Sequence, residues 1–178
     1  AALIEEGHEQ SFAGQYKTIL GVEHEGLSTA IEKVCDDAKG KLSSLSDFSI
    51  IVQEYIDPDF AGVLFSRDPR GEREMILEYR QGVGEAVVGG RSVTRLSFLE
   101  NNASRLRNKF KFVEQIAELG NKIEEDYGWP QDIEWAIKDN VVYVLQTRPV
   151  TSLSESQWRG LKFLDTKLME GESNYLYE

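Results

Sequence analysis

The chain has 178 residues and a formal net charge of −11; 40% of it is hydrophobic and 29% charged. That length and apolar content suit one globular domain, or one with a small extension, while the acidity argues against a basic groove tracking nucleic-acid phosphates. The single cysteine, Cys35, excludes an intrachain disulfide and fits a reducing, cytoplasmic setting, and no apolar run is long enough to span a membrane.

Residues 1–10 are acidic and without a clear period, and Ala1-Ala2-Leu3-Ile4 reads as the middle of a longer chain. Ser11-Phe12-Ala13-Gly14-Gln15 is a small-residue turn, and Tyr16 to Val22 is expected as a short strand or extended segment. Leu27, Ile31, Val34, Cys35 and Ala38 recur at helical spacing, with Ser28 as a candidate cap and an end near Gly40. Ser49 to Ile56 predicts a strand, broken by Asp57-Pro58-Asp59. Further strands are expected over Ala61 to Phe65, Glu74 to Tyr79 and Ser92 to Phe98. Leu106, Phe110, Val113, Ala117, Ile123 and Tyr127 predict a long helix ending before Gly128. The glutamates of 114–126 are read as its solvated face.

Two apolar runs follow, Gln131 to Ile137 and Val141 to Pro149, around Lys138-Asp139-Asn140. Ile133, Trp135 and Ile137 alternate with Asp132, Glu134 and Ala136, a strand with one core face. A two-residue loop, Asp139-Asn140, would set Glu134 opposite Leu145 and turn Gln146 to the other face. A three-residue loop with Asn140 left-handed pairs Asp132 with Gln146 and Glu134 with Val144. We take the second, which puts Asp132, Glu134, Gln146 and Arg148 on one face. Such a face is either a solvated surface or a set of hard oxygen ligands suited to Mg²⁺ beside a phosphate-binding arginine. Residues 152–178 read as a linker or an added helix.

Other features are bland by themselves. Gly82-Val83-Gly84 is a turn: no Gly-Lys-Ser or Gly-Lys-Thr follows, and the third glycine of a dinucleotide fingerprint is lacking. His8 and His24 belong to no zinc-ligand spacing or catalytic triad and are read as surface residues.

Taken in order, six blocks carry a resemblance. They are Ser-Phe-Ala-Gly-Gln (11–15), Val52-Gln53-Glu54-Tyr55, Ala61 to Pro69 (Ala-Gly-Val-Leu-Phe-Ser-Arg-Asp-Pro), Gly82 to Gly90, Pro130 to Ala136 (Pro-Gln-Asp-Ile-Glu-Trp-Ala) and Leu145-Gln146-Thr147-Arg148-Pro149. Over roughly residues 11–151 the chain resembles the nucleotide-binding region of the phosphoenolpyruvate synthase (pyruvate, water dikinase) and pyruvate phosphate dikinase family. The resemblance implies an α+β, ATP-grasp-like lobe: a mainly antiparallel sheet with packed helices, binding ATP and Mg²⁺. It implies that Glu134 and Gln146 hold Mg²⁺ and that Asp132 stands beside them as ligand or orienter. It further implies that Arg148 contacts the transferring phosphoryl group, that Gln53, Glu54 and Tyr55 meet the adenine, and that Gly14 lies in a loop over the phosphates. Phosphoryl transfer relies on positioning and charge neutralisation, which suits such a set.

The family's first lobe, with its phosphate-binding lysine and arginine, is largely missing. So are its phosphohistidine motif and its pyruvate/phosphoenolpyruvate domain. Residues 1–151 are therefore expected to be a partial nucleotide-binding domain, and 152–178 an extension or linker toward a missing domain. The parent is expected to be a kinase-type phosphotransferase that phosphorylates a histidine on a separate domain, the isolated chain being inactive. Two rivals stay open: a relative with another acceptor, such as a glucan or an antibiotic, and a non-catalytic module binding nucleotide or a protein.

Overall fold

The computed structural model describes residues 17–42, 48–82, 93–98 and 111–169. The chain divides into two compact units, 1–56 and 57–178. In the first, a 3-10 turn at His24–Gly26 leads into helix α1 (Leu27–Lys39). Gly26, not Ser28, is the N-cap, because the 3-10 turn starts the helical path earlier. The expected stripe is present: Ala38 is buried, with Leu27, Ile31, Val34 and Cys35 half-buried. The Lys17 N–H donates to the Asp37 carboxylate at 3.1 Å, but residues 17–23 form no strand.

No strand forms over 49–56 either, and Ile51, Val52 and Tyr55 are exposed. Strand preference reports a fit to a pleated, half-buried neighbour surface. Among the described residues no ladder offers one to this segment.

The second unit is built on five antiparallel strands: β1 (Phe60–Phe65), β2 (Met75–Gln81), β3 (Thr94–Phe98), β4 (Gln131–Lys138) and β5 (Val141–Pro149). Their order is β3-β2-β1-β4-β5. Helix α2 (Lys111–Tyr127) covers one face. There Leu64, Met75, Leu77, Tyr79, Ile133, Trp135 and Ile137 pack with Val113, Ile116 and Ala117 in one core. The Phe112 ring lies 5.2 Å from Phe60, 5.2 Å from Tyr79 and 5.8 Å from Trp135. The expected stripe holds at Val113 and Ala117 and fails at Tyr127, which is exposed; Leu106 and Phe110 lie outside the described residues. Glu124 departs from the solvated-face reading. It is 6% exposed, accepts from Ser66 Oγ at 2.6 Å and from Arg67 Nη2 at 2.9 Å, and burial raises its pKa against the pull of Arg67.

Helix α3 (Glu155–Met169) continues this unit. Ser154 and Gln157 cap it reciprocally, Ser154 N–H to Gln157 Oε1 (2.9 Å) and Gln157 N–H to Ser154 Oγ (3.3 Å). Trp158 and Leu161 are buried. Trp158 Nε1 donates to the Gly128 carbonyl at 3.1 Å, and Arg73 pairs with Asp165 at 2.6 Å.

The β4–β5 hairpin corrects the expected register. Its loop has two residues: Lys138 pairs with Val141, and Asp139 (φ 52°) and Asn140 (φ 63°) are both left-handed, the primed geometry that matches strand twist. Asp59 braces the turn by accepting the Asp139 N–H at 2.9 Å. Trp135 then pairs with Val144, but Glu134 pairs with Gln146, so Leu145 is one residue extra, a β-bulge. The expected pairs Asp132–Gln146 and Glu134–Val144 are replaced by Asp132–Arg148 and Glu134–Gln146.

Gly62 and Gly120 sit at the tightest approaches. A Cβ on Gly62 would lie 2.0 Å from the Glu78 carbonyl oxygen, which belongs to the paired strand; one on Gly120 would meet the Leu64 Cδ2 at 2.4 Å, a side-chain end. Gly62→Ala is expected to cost about 3 kcal/mol or more, at the top of the overpacking range. Gly120→Ala gains helix propensity of about 1 kcal/mol and should lose clearly less. Urea denaturation of both variants checks this, and equal losses would contradict it.

Candidate nucleotide and phosphate site

The sheet face away from α2 carries the polar residues. Across the strands two rows run side by side. One reads Arg148, Asp132, Phe65, Ile76, Ser97; the other reads Gln146, Glu134, Val63, Glu78, Arg95. Opposite residues of an antiparallel ladder share a face, so the structure brings Asp132, Glu134, Gln146 and Arg148 together as four neighbours. The bulge makes this possible. Without Leu145 as an extra residue, a two-residue turn would put Gln146 in the core.

Each side chain has a distinct environment. Asp132 is 7% exposed. Its Oδ2 accepts from Arg148 Nε at 2.7 Å and Nη2 at 2.5 Å. Its Oδ1 is buried and has no hydrogen-bond partner among the described residues. A buried carboxylate oxygen left this way is costly unless a further donor or cation meets it. Glu134 is the one solvent-facing residue in the middle of β4. Nearby protein still displaces enough of its hydration to push its pKa up, the Asp132 charge adds to that rise, and Arg148 opposes it. In the second row Arg95 Nη1 pairs with Glu78 Oε1 at 2.9 Å.

Gln53, Glu54 and Tyr55 are exposed residues of the first unit, without regular structure. Gly14 lies outside the described residues, as do His8 and residues 83–90. Of Asp57-Pro58-Asp59, Asp59 holds the hairpin turn. A concavity of about 390 Å³ lined by Gln115, Glu118, Leu119, Lys122, Asn140 and Val142 lies beside α2, on the core side of the sheet. The polar rows lie on the other side.

Residues 1–104 and 92–162 match the pyruvate phosphate dikinase, AMP/ATP-binding domain family. The chain belongs to that family. Among curated relatives it is 31% identical to the uncharacterized phosphotransferase YvkC of Bacillus subtilis, over 83% of this chain and 23% of the relative. It is 30% identical to a probable phosphoenolpyruvate synthase of Methanothermobacter thermautotrophicus, over 88% of this chain and 29% of the relative. It is also 30% identical to the prodigiosin synthesizing transferase PigC of Serratia marcescens, over 85% and 22%. The chain thus spans under a third of the length of these relatives. Family membership agrees with the α+β architecture and with the order of the six sequence blocks. Among the described residues no helix is long and apolar enough to cross a membrane.

Gln131 and Thr147, both inside the quoted blocks, are joined by a hydrogen bond of 3.0 Å that the sequence did not reveal. An alternation pattern assigns them to the core and gives no sign that they bond to each other.

Glu134 has a consequence for stability. A carboxyl whose folded pKa is raised holds more protons folded than unfolded, so its contribution is fullest below the ordinary value of 4.5 and is lost as pH rises through the folded value. Glu134→Gln removes this loss. The variant is expected to melt above the unaltered chain at pH 7, with the gap shrinking toward pH 4. A gap that widens on acidification would contradict the assignment.

Proposed function

We propose that the chain is the ATP- and Mg²⁺-binding part of a phosphotransferase of the phosphoenolpyruvate synthase type, with the ATP-grasp manner of holding nucleotide. The observation that supports this most is the clustering of Glu134, Gln146, Asp132 and Arg148 on one face, with the buried Asp132 Oδ1 unsatisfied among the described residues. Among those residues no group of three or more His, Cys, Asp or Glu side chains is arranged to hold a metal. Mg²⁺ does not need one: it is commonly bound by one or two carboxylates, with waters and substrate phosphates completing the octahedron. Two carboxylates and an amide oxygen fit that donor set. Glu134 and Gln146 would be the ligands, with Asp132 as ligand or orienter. Bound there, Mg²⁺ would neutralise charge on the ATP phosphates.

The chain's own residues then have separable tasks. Asp132 holds the Arg148 guanidinium at Nε and Nη2, so the guanidinium is oriented before a phosphoryl group arrives. Such preorganisation is the main contribution a protein makes to phosphoryl transfer. Gln53, Glu54 and Tyr55 would meet the adenine, mostly through backbone groups, and Gly14 would cover the phosphates. In the longer protein a phosphoryl group would pass from ATP to a histidine on a separate domain, and from there to pyruvate. Residues 152–178 would extend the nucleotide-binding domain toward those partners. A related reading keeps the ATP chemistry and changes the acceptor. The likeness to an uncharacterized phosphotransferase and to a prodigiosin synthesizing transferase favours keeping it.

Two outcomes are expected. The chain alone should show no pyruvate-dependent ATP consumption; a robust rate that vanishes in Glu134→Ala would sink the proposal. In a full-length relative, replacing the residue aligned with Glu134 by Gln should slow the ATP half-reaction on the order of a hundredfold, because small misplacements of phosphates cost that much. Transfer from phosphohistidine to the acceptor should survive. Equal loss in both half-reactions would indicate a folding defect, and no loss in the first would remove Glu134 from the site.

A further inference from the structure

Gln131, the first residue of β4, is 1% exposed and is held by four hydrogen bonds. Its N–H donates to Ser66 Oγ (2.8 Å), and its carbonyl accepts from the Ser66 N–H (2.9 Å). Its Nε2 donates to the Trp129 carbonyl (2.9 Å), and its Oε1 accepts from Thr147 Oγ1 (3.0 Å). Ser66 Oγ donates to Glu124 Oε2 at 2.6 Å, and Arg67 Nη2 donates to Glu124 Oε1 at 2.9 Å. The network is buried at Ser66, part-buried at its outer bonds, and links the end of β1 with α2, β4 and β5.

Its place in the ladder gives it a further meaning. Asp132 directly follows Gln131, and Thr147 lies between Gln146 and Arg148. Side chains alternate between faces along a strand, so residues bonded on the core face fix the backbone that presents their neighbours on the other face. The Gln131–Thr147 bond crosses diagonally from β4 to β5, with Thr147 two residues past the bulge at Leu145. A bulge is where a ladder can move by one residue, and a one-residue slip exchanges the faces of every following side chain.

We propose that the Gln131–Thr147 hydrogen bond, backed by Ser66 and Glu124, is a register lock that positions Arg148 on Asp132 and Gln146 beside Glu134 for phosphate binding. The purpose rests on the nucleotide reading above; the lock itself does not. Gln131 and Thr147 are positioning residues and touch no ligand. Thr147 suits the task because its hydroxyl gives a hydrogen to an amide oxygen that is buried, while its β-branched stem fits a strand.

The test uses Thr147→Val, which keeps the shape and removes the hydroxyl, and Thr147→Ser, which restores it. Hydrogen exchange of the Arg148 Nε–H is followed by NMR in the ligand-free chain. Arg73, paired with Asp165 elsewhere in the same unit, serves as the internal control. The lock predicts that Thr147→Val speeds exchange at Arg148 about fivefold or more, leaves Arg73 within about twofold, and is rescued by Thr147→Ser. Unchanged exchange at Arg148, or parallel acceleration at Arg148 and Arg73, would overturn it. If Thr147→Val does not fold, Ser66→Ala must give the same selective acceleration or the lock falls. Titration with ATP and Mg²⁺ separates the two readings. No binding by the unaltered chain, with the selective NMR effect intact, overturns the nucleotide reading alone. Binding that weakens at least fivefold in Thr147→Val and recovers in Thr147→Ser supports both.

Discussion

The polar face depends on a count of residues in one strand. From the Asp139-Asn140 turn, pairs form in step as far as Trp135 and Val144, and the next pair is Glu134 with Gln146. Leu145 absorbs the difference. Because strand side chains alternate with period 2, adding one residue changes which side chains of β5 face which way. Val142 and Val144 stay on the side of Ile137 and Trp135, while Gln146 and Arg148 move to the carboxylates. A tight primed turn and a carboxylate–amide–guanidinium cluster make opposite demands on parity, and the bulge satisfies both.

The sequence carried the local pattern well. Ile133, Trp135 and Ile137 alternate with polar neighbours, and all three are buried at 1%, 1% and 4% exposure. The three strands of the second unit outside the hairpin, and α1, were legible within a few residues for the same reason: apolar period and breaker residues are local properties. What was not legible is pairwise. Both candidate loops brought the four polar residues to one face or separated them by parity alone, and a bulge has no composition of its own. The 49–56 segment shows the same limit from the other side. Its β-branched residues suit a strand, yet a strand exists only where a ladder receives it. Glu124 is a third case: its charge and spacing match a solvated helix face, and only Arg67 and Ser66, which follow β1 in the chain, explain its burial.

The unit keeps its acid groups in two unlike settings on opposite sides of the sheet. Glu124 is enclosed and satisfied by two donors, yet burial still raises its pKa. Asp132 and Glu134 stand next to each other on the open side, one tied to Arg148 and the other crowded. The first setting holds the β1 end, α2 and, through Arg67 and Asp165, α3 together. The second stores repulsion that a cation would relieve. Functional sites commonly carry such local destabilisation, with the rest of the fold supplying the margin.

The order of strands in space differs from their order along the chain, and this bears on how the protein is made. β1 and β2 are neighbours in sequence and in the sheet, and so are β4 and β5, but β1 must wait for β4, which is separated from it by β2, β3 and α2. During synthesis from the N-terminus, β1 therefore emerges long before its second partner, leaving one backbone edge and the apolar Val63, Leu64 and Phe65 uncovered. Such an edge invites pairing with other nascent chains. The hairpin, closed by two residues, can form within microseconds once it leaves the ribosome. It then arrives as a finished two-stranded ribbon, with Asp59 waiting to catch its turn. A chain stopped before Gln131 would keep that edge open, which makes the last hairpin a guard against aggregation as well as the bearer of the polar face.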